Sequence, residues 1–408
     1  MRRRYRRLLG AVLLAGGLVV SISPAAQAHG EKSQEAFLRM TTVGWVDVKF
    51  SQDHVKQGET FTITGTAKIL DAWPTGLAKG FPNTGFIGVI APGPVVIVKE
   101  RTINGVSAPD RIDIEKGRIY EFSLTVAGRR PGTWHVHPSF SVKGAGTLLG
   151  PGMWITVEKN PNGYSNPIQL DNGKTINLEN YQLPFTWIWL LITFVIGVAW
   201  MIYWTVPKRT VTNLAVTSQI PINTDGMEYG LITKRDHRNM NWFALGTALV
   251  LVVGWIYQAA AFPTKMPQQV IQFAPPQPAI ASAPQFAKAS NATATYDRGS
   301  KTFTMNVDVT NSGKTPITLK EFTTTNLNFV PGTPGPLDRQ MQVAPSTSVD
   351  PGATTKLTLT THDSVWQDEH LLTIGSAQLE VTGILVFDDA DGARNLAEVQ
   401  AIMQPQFK

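Results

Sequence analysis

Two histidines separated by one residue are the most chemically suggestive feature of the chain. In Arg130-Pro131-Gly132-Thr133-Trp134-His135-Val136-His137 a Pro-Gly turn leads into an alternating run. Alternate residues of a strand share a face. The spacing therefore predicts that the imidazoles of His135 and His137 point the same way, with Val136 on the opposite face. Two imidazoles so placed can grip one metal ion, although an isolated H-x-H is more often a pair of surface histidines. His29 adds to this pair. It follows Ala26-Gln27-Ala28, a small-x-small pattern, and cleavage after Ala28 makes His29 the first mature residue. A terminal histidine offers its ring nitrogen and an α-amine with an ordinary pKa of about 7.7–8.0. Amine and ring form a chelate, and His135 and His137 complete an all-nitrogen set. Such a set suits copper, which stands highest for divalent ions at nitrogen sites and favours tetragonal nitrogen geometry.

The remaining histidines offer less. His54 sits in a turn-like segment, and His237 falls in a loop between two apolar spans. His362 and His370 flank Trp366 in a segment that reads as a surface helix or turn. Asp388-Asp389-Ala390-Asp391-Gly392 is acidic but lacks the spacing and final glutamate of a calcium loop. It reads as a hairpin tip.

Composition removes whole classes of function. The 408 residues include no cysteine, which excludes disulfides, zinc ribbons, thiol nucleophiles, iron–sulfur clusters and thiolate copper. Any metal must take nitrogen and oxygen ligands. The formal charge of +6 comes from 36 basic and 30 acidic residues. Five of those basic residues are arginines at positions 2 to 7. Without them the balance is nearly even, so the charge gives no support for a nucleic-acid partner.

Those arginines open a secretory signal peptide over residues 1–28, with an apolar run from Leu8 to about Ile22. Two later stretches, 183–206 and 241–262, lack charged residues and are long enough to cross a bilayer. Trp and Tyr lie near their ends, as interface anchors do. The 207–240 loop carries Lys208, Arg209, Lys234, Arg235 and Arg238. The positive-inside rule makes it cytoplasmic and the flanking regions extracytoplasmic. Residues 29–182 form an N-terminal domain of short alternating runs such as TFTITGTAKI and YEFSLTV, with a polar, Asn-rich lead over 161–182. After a Pro-rich linker, 263–285, residues 286–408 return to strands. The fold class is mainly β: two β-sandwich domains joined by a two-helix transmembrane hairpin.

The chain resembles the B component of the copper membrane monooxygenases, the family of particulate methane and ammonia monooxygenases. The resemblance covers most of the mature chain. It rests on His29-Gly30-Glu31-Lys32-Ser33-Gln34, Phe37-Leu38-Arg39-Met40, Trp73-Pro74, the Arg130 to His137 segment and Gly150-Pro151-Gly152-Met153-Trp154. Leu178-Glu179-Asn180-Tyr181, Ile196-Gly197-Val198-Ala199-Trp200, Glu321-Phe322 and Pro351-Gly352 extend it. The resemblance implies that both extracytoplasmic domains are cupredoxin-like. It implies copper on His29, His135 and His137, and assembly with A and C membrane subunits as a trimer of heterotrimers. It further implies insertion of one oxygen atom from O2 into a small substrate, methane to butane or ammonia, with catalysis completed in a partner membrane subunit. The chain departs from the pattern at one place. Some methane-oxidising relatives hold a further copper on two histidines where this sequence has Gly44 and Lys68. A membrane-anchored copper carrier or sensor is the alternative. An electron-transfer subunit with a dinuclear thiolate copper is excluded by the missing cysteines.

Overall fold

The computed structural model describes residues 36–77, 80–108, 111–170, 173–205, 234–262, 285–369, 371 and 379–406. The expected signal peptide over 1–28, His29, His370, the Pro-rich linker up to residue 284 and most of the 207–240 loop lie outside the described residues.

A short helix, α1 (Ala36–Thr41), precedes the first β-region. That region runs β1 (Val43–Phe50), β2 (His54–Lys56), β3 (Thr60–Ile69), β4 (Asn83–Ile90), β5 (Val96–Ile103), β6 (Val106–Ser107), β7 (Ile112–Ile114), β8 (Ile119–Gly128), β9 (Gly132–Val142), β10 (Gly146–Leu149) and β11 (Met153–Glu158). One sheet has the order β1-β3-β8-β5-β6, and the other β2-β11-β9-β4-β7 with β10 beside β9. Alternation sends Phe61, Ile63, Tyr120, Phe122, Leu124, Val136, Phe140 and Ile155 into one core with Trp45 and Trp73. Trp45 meets Phe122 edge-to-face at 5.6 Å, the arrangement aromatic quadrupoles favour.

The second β-region runs from β14 to β23, after the small strands β12 (Pro167–Gln169) and β13 (Thr175–Asn177). Its strands are β14 (Ala287–Asp297), β15 (Thr302–Asn311), β16 (Ile317–Thr324), β17 (Leu327–Val330), β18 (Asp338–Gln340), β19 (Gln342–Ala344), β20 (Ser348–Val349), β21 (Thr354–His362), β22 (Leu379–Asp389) and β23 (Arg394–Gln406). They follow the path β18-β17-β16-β22-β23-β14-β15-β21-β19, with β20 on β16. β15 shows the period-2 pattern most plainly, with Phe303, Met305, Val307 and Val309 buried and the residues between them half-exposed. In the core Phe303 stacks on Trp366 at 4.3 Å.

The two sandwiches pack as a single unit, made of the described residues up to Tyr164 and those from 285 on. Val46 and Leu70 from the first interlock with Ile384, Val386 and Leu396 from the second. Burying each such side chain contributes about 1.5–3 kcal/mol. Arg39 of α1 donates to the Glu369 carbonyl at 2.9 Å and to Asn326 Oδ1 at 2.6 Å. Met40 sits in the second sandwich's core.

Residues Ser165 to 262 form a separate unit. Here the expected polar lead contains an antiparallel β12–β13 hairpin. It is followed by α2 (Leu183–Thr205) and α3 (Lys234–Ala261). Both helices are long and apolar enough to cross a membrane. Trp187, Leu191, Phe194, Trp242, Leu249 and Trp255 are exposed on them. A helix that is apolar all round suits hydrocarbon rather than water. The helices pack where Gly254 leaves no room for a Cβ beneath the Trp189 ring. α3 starts at Lys234, ahead of the 241 start expected from its apolar run. Asp236 explains the extension: an acid in the first turn suits the helix dipole. The Tyr203 hydroxyl also donates to its carboxylate across the pair at 2.6 Å.

Candidate metal centre

β9 and β11 build the site. Their antiparallel register sets His135 opposite Trp154 and Val136 opposite Met153. Two residues on, β9 turns to β4, and His137 pairs with Ile90. As the spacing predicted, Val136 is buried in the first core while the two imidazoles share the other face. His137 is 5% exposed. Its Nδ1 donates to the Gly150 carbonyl at 2.8 Å, which turns the Nε2 lone pair outward. That Nε2 lies 2.9 Å from His135 Nδ1. Metal–imidazole bonds of about 2.0–2.1 Å at a right angle set two ligand nitrogens about 2.9 Å apart. The two nitrogens are within hydrogen-bonding distance of each other, a separation that neighbouring ligands of one tetragonal ion would also have.

The surroundings fix both rings. A carbonyl on the far nitrogen of a ligating histidine sets tautomer and orientation, and Gly150 supplies it. Gly152 lies against the His137 ring so closely that any Cβ would collide with it. Trp154 stacks on His135, with centroids 4.9 Å apart and planes inclined by 29°. These partners come from the Gly150–Gly152 loop and from β11, so nothing in the H-x-H spacing points to them. The local Gly-Pro-Gly-Met-Trp run was the only signal.

Among the described residues no group of three His, Cys, Asp or Glu side chains comes together as a metal site. The structure unites His135 and His137 but does not describe His29. His54 is exposed beside Asp53, whose hydrogen bond raises its pKa. The Thr302 hydroxyl lies 2.8 Å from His362 Nδ1. His237 falls within α3. The acidic segment after Phe387 is the β22–β23 hairpin tip, with Asp389 Oδ1 accepting from the amides of Asp391 and Ala393 at 2.9 and 2.7 Å.

Gly44 and Lys68 stand opposite each other on β1 and β3. Ile384 covers Gly44 with no space for a side chain. Lys68 Nζ pairs with Glu398 Oε2 of the second sandwich at 3.4 Å, nine-tenths buried on the lysine side. Glu398 also accepts from the amides of Asp71 and Ala72, each at 3.0 Å. This position holds an ionic clamp between the sandwiches.

Residues 30–407 match the family model that describes the B-subunit protein of monooxygenases. The chain belongs to that family. The subunit is 33% identical to the particulate methane monooxygenase alpha subunit of Methylococcus capsulatus (strain Bath), over 94% of each chain. Among solved structures it is similar to the cupredoxin domain of amoB from Nitrosocaldus yellowstonii. That likeness has 18% identity, covers 32% of the subunit and 99% of that chain, and has a TM-score of 0.24. A fibronectin(III)-like module structure from Clostridium thermocellum CbhA is similar at 5% identity, over 90% and 95% of the two chains, with a TM-score of 0.15.

Proposed function

We propose that this subunit holds copper on His29, His135 and His137 within a membrane-bound monooxygenase that uses O2 to hydroxylate a small substrate. The carrying observation is the 2.9 Å approach of His137 Nε2 and His135 Nδ1, with the tautomer of His137 set by Gly150. The donor set is all nitrogen on one face, and bound copper there would supply redox and Lewis-acid chemistry. His137 holds its ring fixed through the Gly150 carbonyl. His135 is held by its stack on Trp154; to ligate through Nδ1 it would carry its single proton on Nε2, and the metal bond would replace its hydrogen bond to His137. The chain from His29 to Ala36 can span at most about 25 Å, and α1 packs on β10, the strand that leads into the Gly150–Gly152 loop.

In this reading both β-sandwiches lie outside the membrane and the 207–240 loop is cytoplasmic. The subunit assembles with A and C membrane subunits as a trimer of heterotrimers embedded in lipid. Substrate oxidation is completed in a partner subunit, on a short hydrocarbon from methane to butane or on ammonia. The test is O2-dependent oxidation of methane, butane and ammonia in parallel by the purified complex. Turnover of one of them supports the reading. Copper-loaded protein that purifies without membrane partners and oxidises none would support a carrier or sensor instead.

A further inference from the structure

Glu321 of β16 lies in the seam between the two sandwiches. It is 8% exposed, and its Oε1 has no hydrogen-bond partner. Phe322 packs into the second core. Thr323, on the face of Glu321 by alternation, donates its hydroxyl to the Trp45 carbonyl of β1 at 2.6 Å. Glu321 therefore faces the first sandwich. Asn328 of β17 stands opposite Thr323 in the register and so shares that face. It is 3% exposed, and its Oδ1 is also without a partner. Glu321 is diagonal to Asn328 on adjacent antiparallel strands, a separation of about 7–8 Å that long side chains bridge.

The seam thus contains two buried acceptors that, among the described residues, receive no hydrogen bond. An unsatisfied buried acceptor costs about 1–3 kcal/mol, and more when it is charged. A single proton on Glu321 removes both deficits, because the carboxyl O–H can donate to Asn328 Oδ1. We propose that Glu321 is protonated in the folded subunit and that this proton closes the seam between the sandwiches, which loosens as pH rises and the proton leaves. Burial first, and then the negative charge of Asp338, push the carboxyl from 4.5 up to about 7, against the pull of Lys49. Asp338 stands opposite Asn328 on β18, and Lys49 comes from β1. The other charges nearby are engaged elsewhere. Asp47 of β1 pairs with Arg394, Arg339 pairs with Asp363, and Lys320 acts on Asp388. On β22 the residue opposite Glu321 is Val386.

The sign follows from linkage. Below pH 4.5 both folded and unfolded chains carry the proton. Between 4.5 and about 7 only the folded chain keeps it, so stability falls across that window and then levels off. The shift corresponds to roughly 300-fold in the folding equilibrium at full extent.

The experiment is hydrogen exchange on the purified complex between pH 5 and 9, corrected for intrinsic rates, read on peptides of β1, β16 and β17. Wild type should lose protection in these strands as pH rises from 5 to about 7 and hold steady above that. Glu321→Gln, whose amide can donate to Asn328 at every pH, should show no such transition. Asp338→Asn lies at a half-exposed site and should move the midpoint to lower pH; it keeps the proposal testable if Glu321→Gln does not fold. An identical transition in wild type and Glu321→Gln overturns the proposal, as does an unmoved midpoint in Asp338→Asn. Protection that follows added potassium or calcium rather than pH would mark a cation in the seam and overturn it as well.

Discussion

At the residue scale, the 2.9 Å between His135 Nδ1 and His137 Nε2 depends on small neighbours. Gly152→Ala pushes a methyl into the His137 ring. Supporting residues around a metal ligand typically matter by about 10–100-fold in affinity. Gly152→Ala should weaken copper binding by that factor while thermal unfolding stays cooperative, checked by chelator competition. Trp154 is 51% exposed, so Trp154→Ala leaves the core intact. It should broaden the nitrogen couplings of bound Cu(II) in electron paramagnetic resonance, because His135 loses the plane that orients it. The histidine pair was legible because strand alternation is a local rule. Gly150, Gly152 and Trp154 reach the pair through a cross-strand register, which local spacing does not encode. Glu321 and Asn328 were hidden for a related reason: their polarity has meaning only once a second sandwich covers them.

At the element scale, most strands could be read, because alternation and Pro-Gly turns are written locally, as β15 and the turn before β9 show. The β12–β13 hairpin could not. Its Asn-rich segment carries few apolar residues, and its pairing is three residues long. The start of α3 was displaced because the expectation followed hydropathy, whereas Asp236 is held by Tyr203 from the neighbouring helix. The packing of β1 and β3 against β22 and β23 was equally illegible, since the helical hairpin separates the two sandwiches along the chain. Lys68 tests that packing. Lys68→Met leaves Glu398 buried with only two backbone donors. Losing one partner of a buried pair costs about 3–5 kcal/mol, reduced here to about 2–3 by those donors. Thermal unfolding of the complex should show the loss, and Lys68→Met with Glu398→Gln should recover much of it.

At the scale of the whole molecule, membership of the monooxygenase family joins a β-rich chain to two helices long and apolar enough to cross a bilayer. The chain should stay in the membrane pellet after alkaline carbonate washing. Protease added to intact cells stripped of outer barriers should cut the β-sandwiches and spare the 207–240 loop, as seen with epitope tags in each region. The reverse pattern would invert the proposed topology. The proposed copper site consists of His135 and His137 with His29. Its most direct test is the copper content of the purified complex carrying His135→Ala and His137→Ala, compared with wild type at equal subunit occupancy. The predicted result is the loss of one copper per subunit with the assembly intact; an unchanged copper content would contradict it.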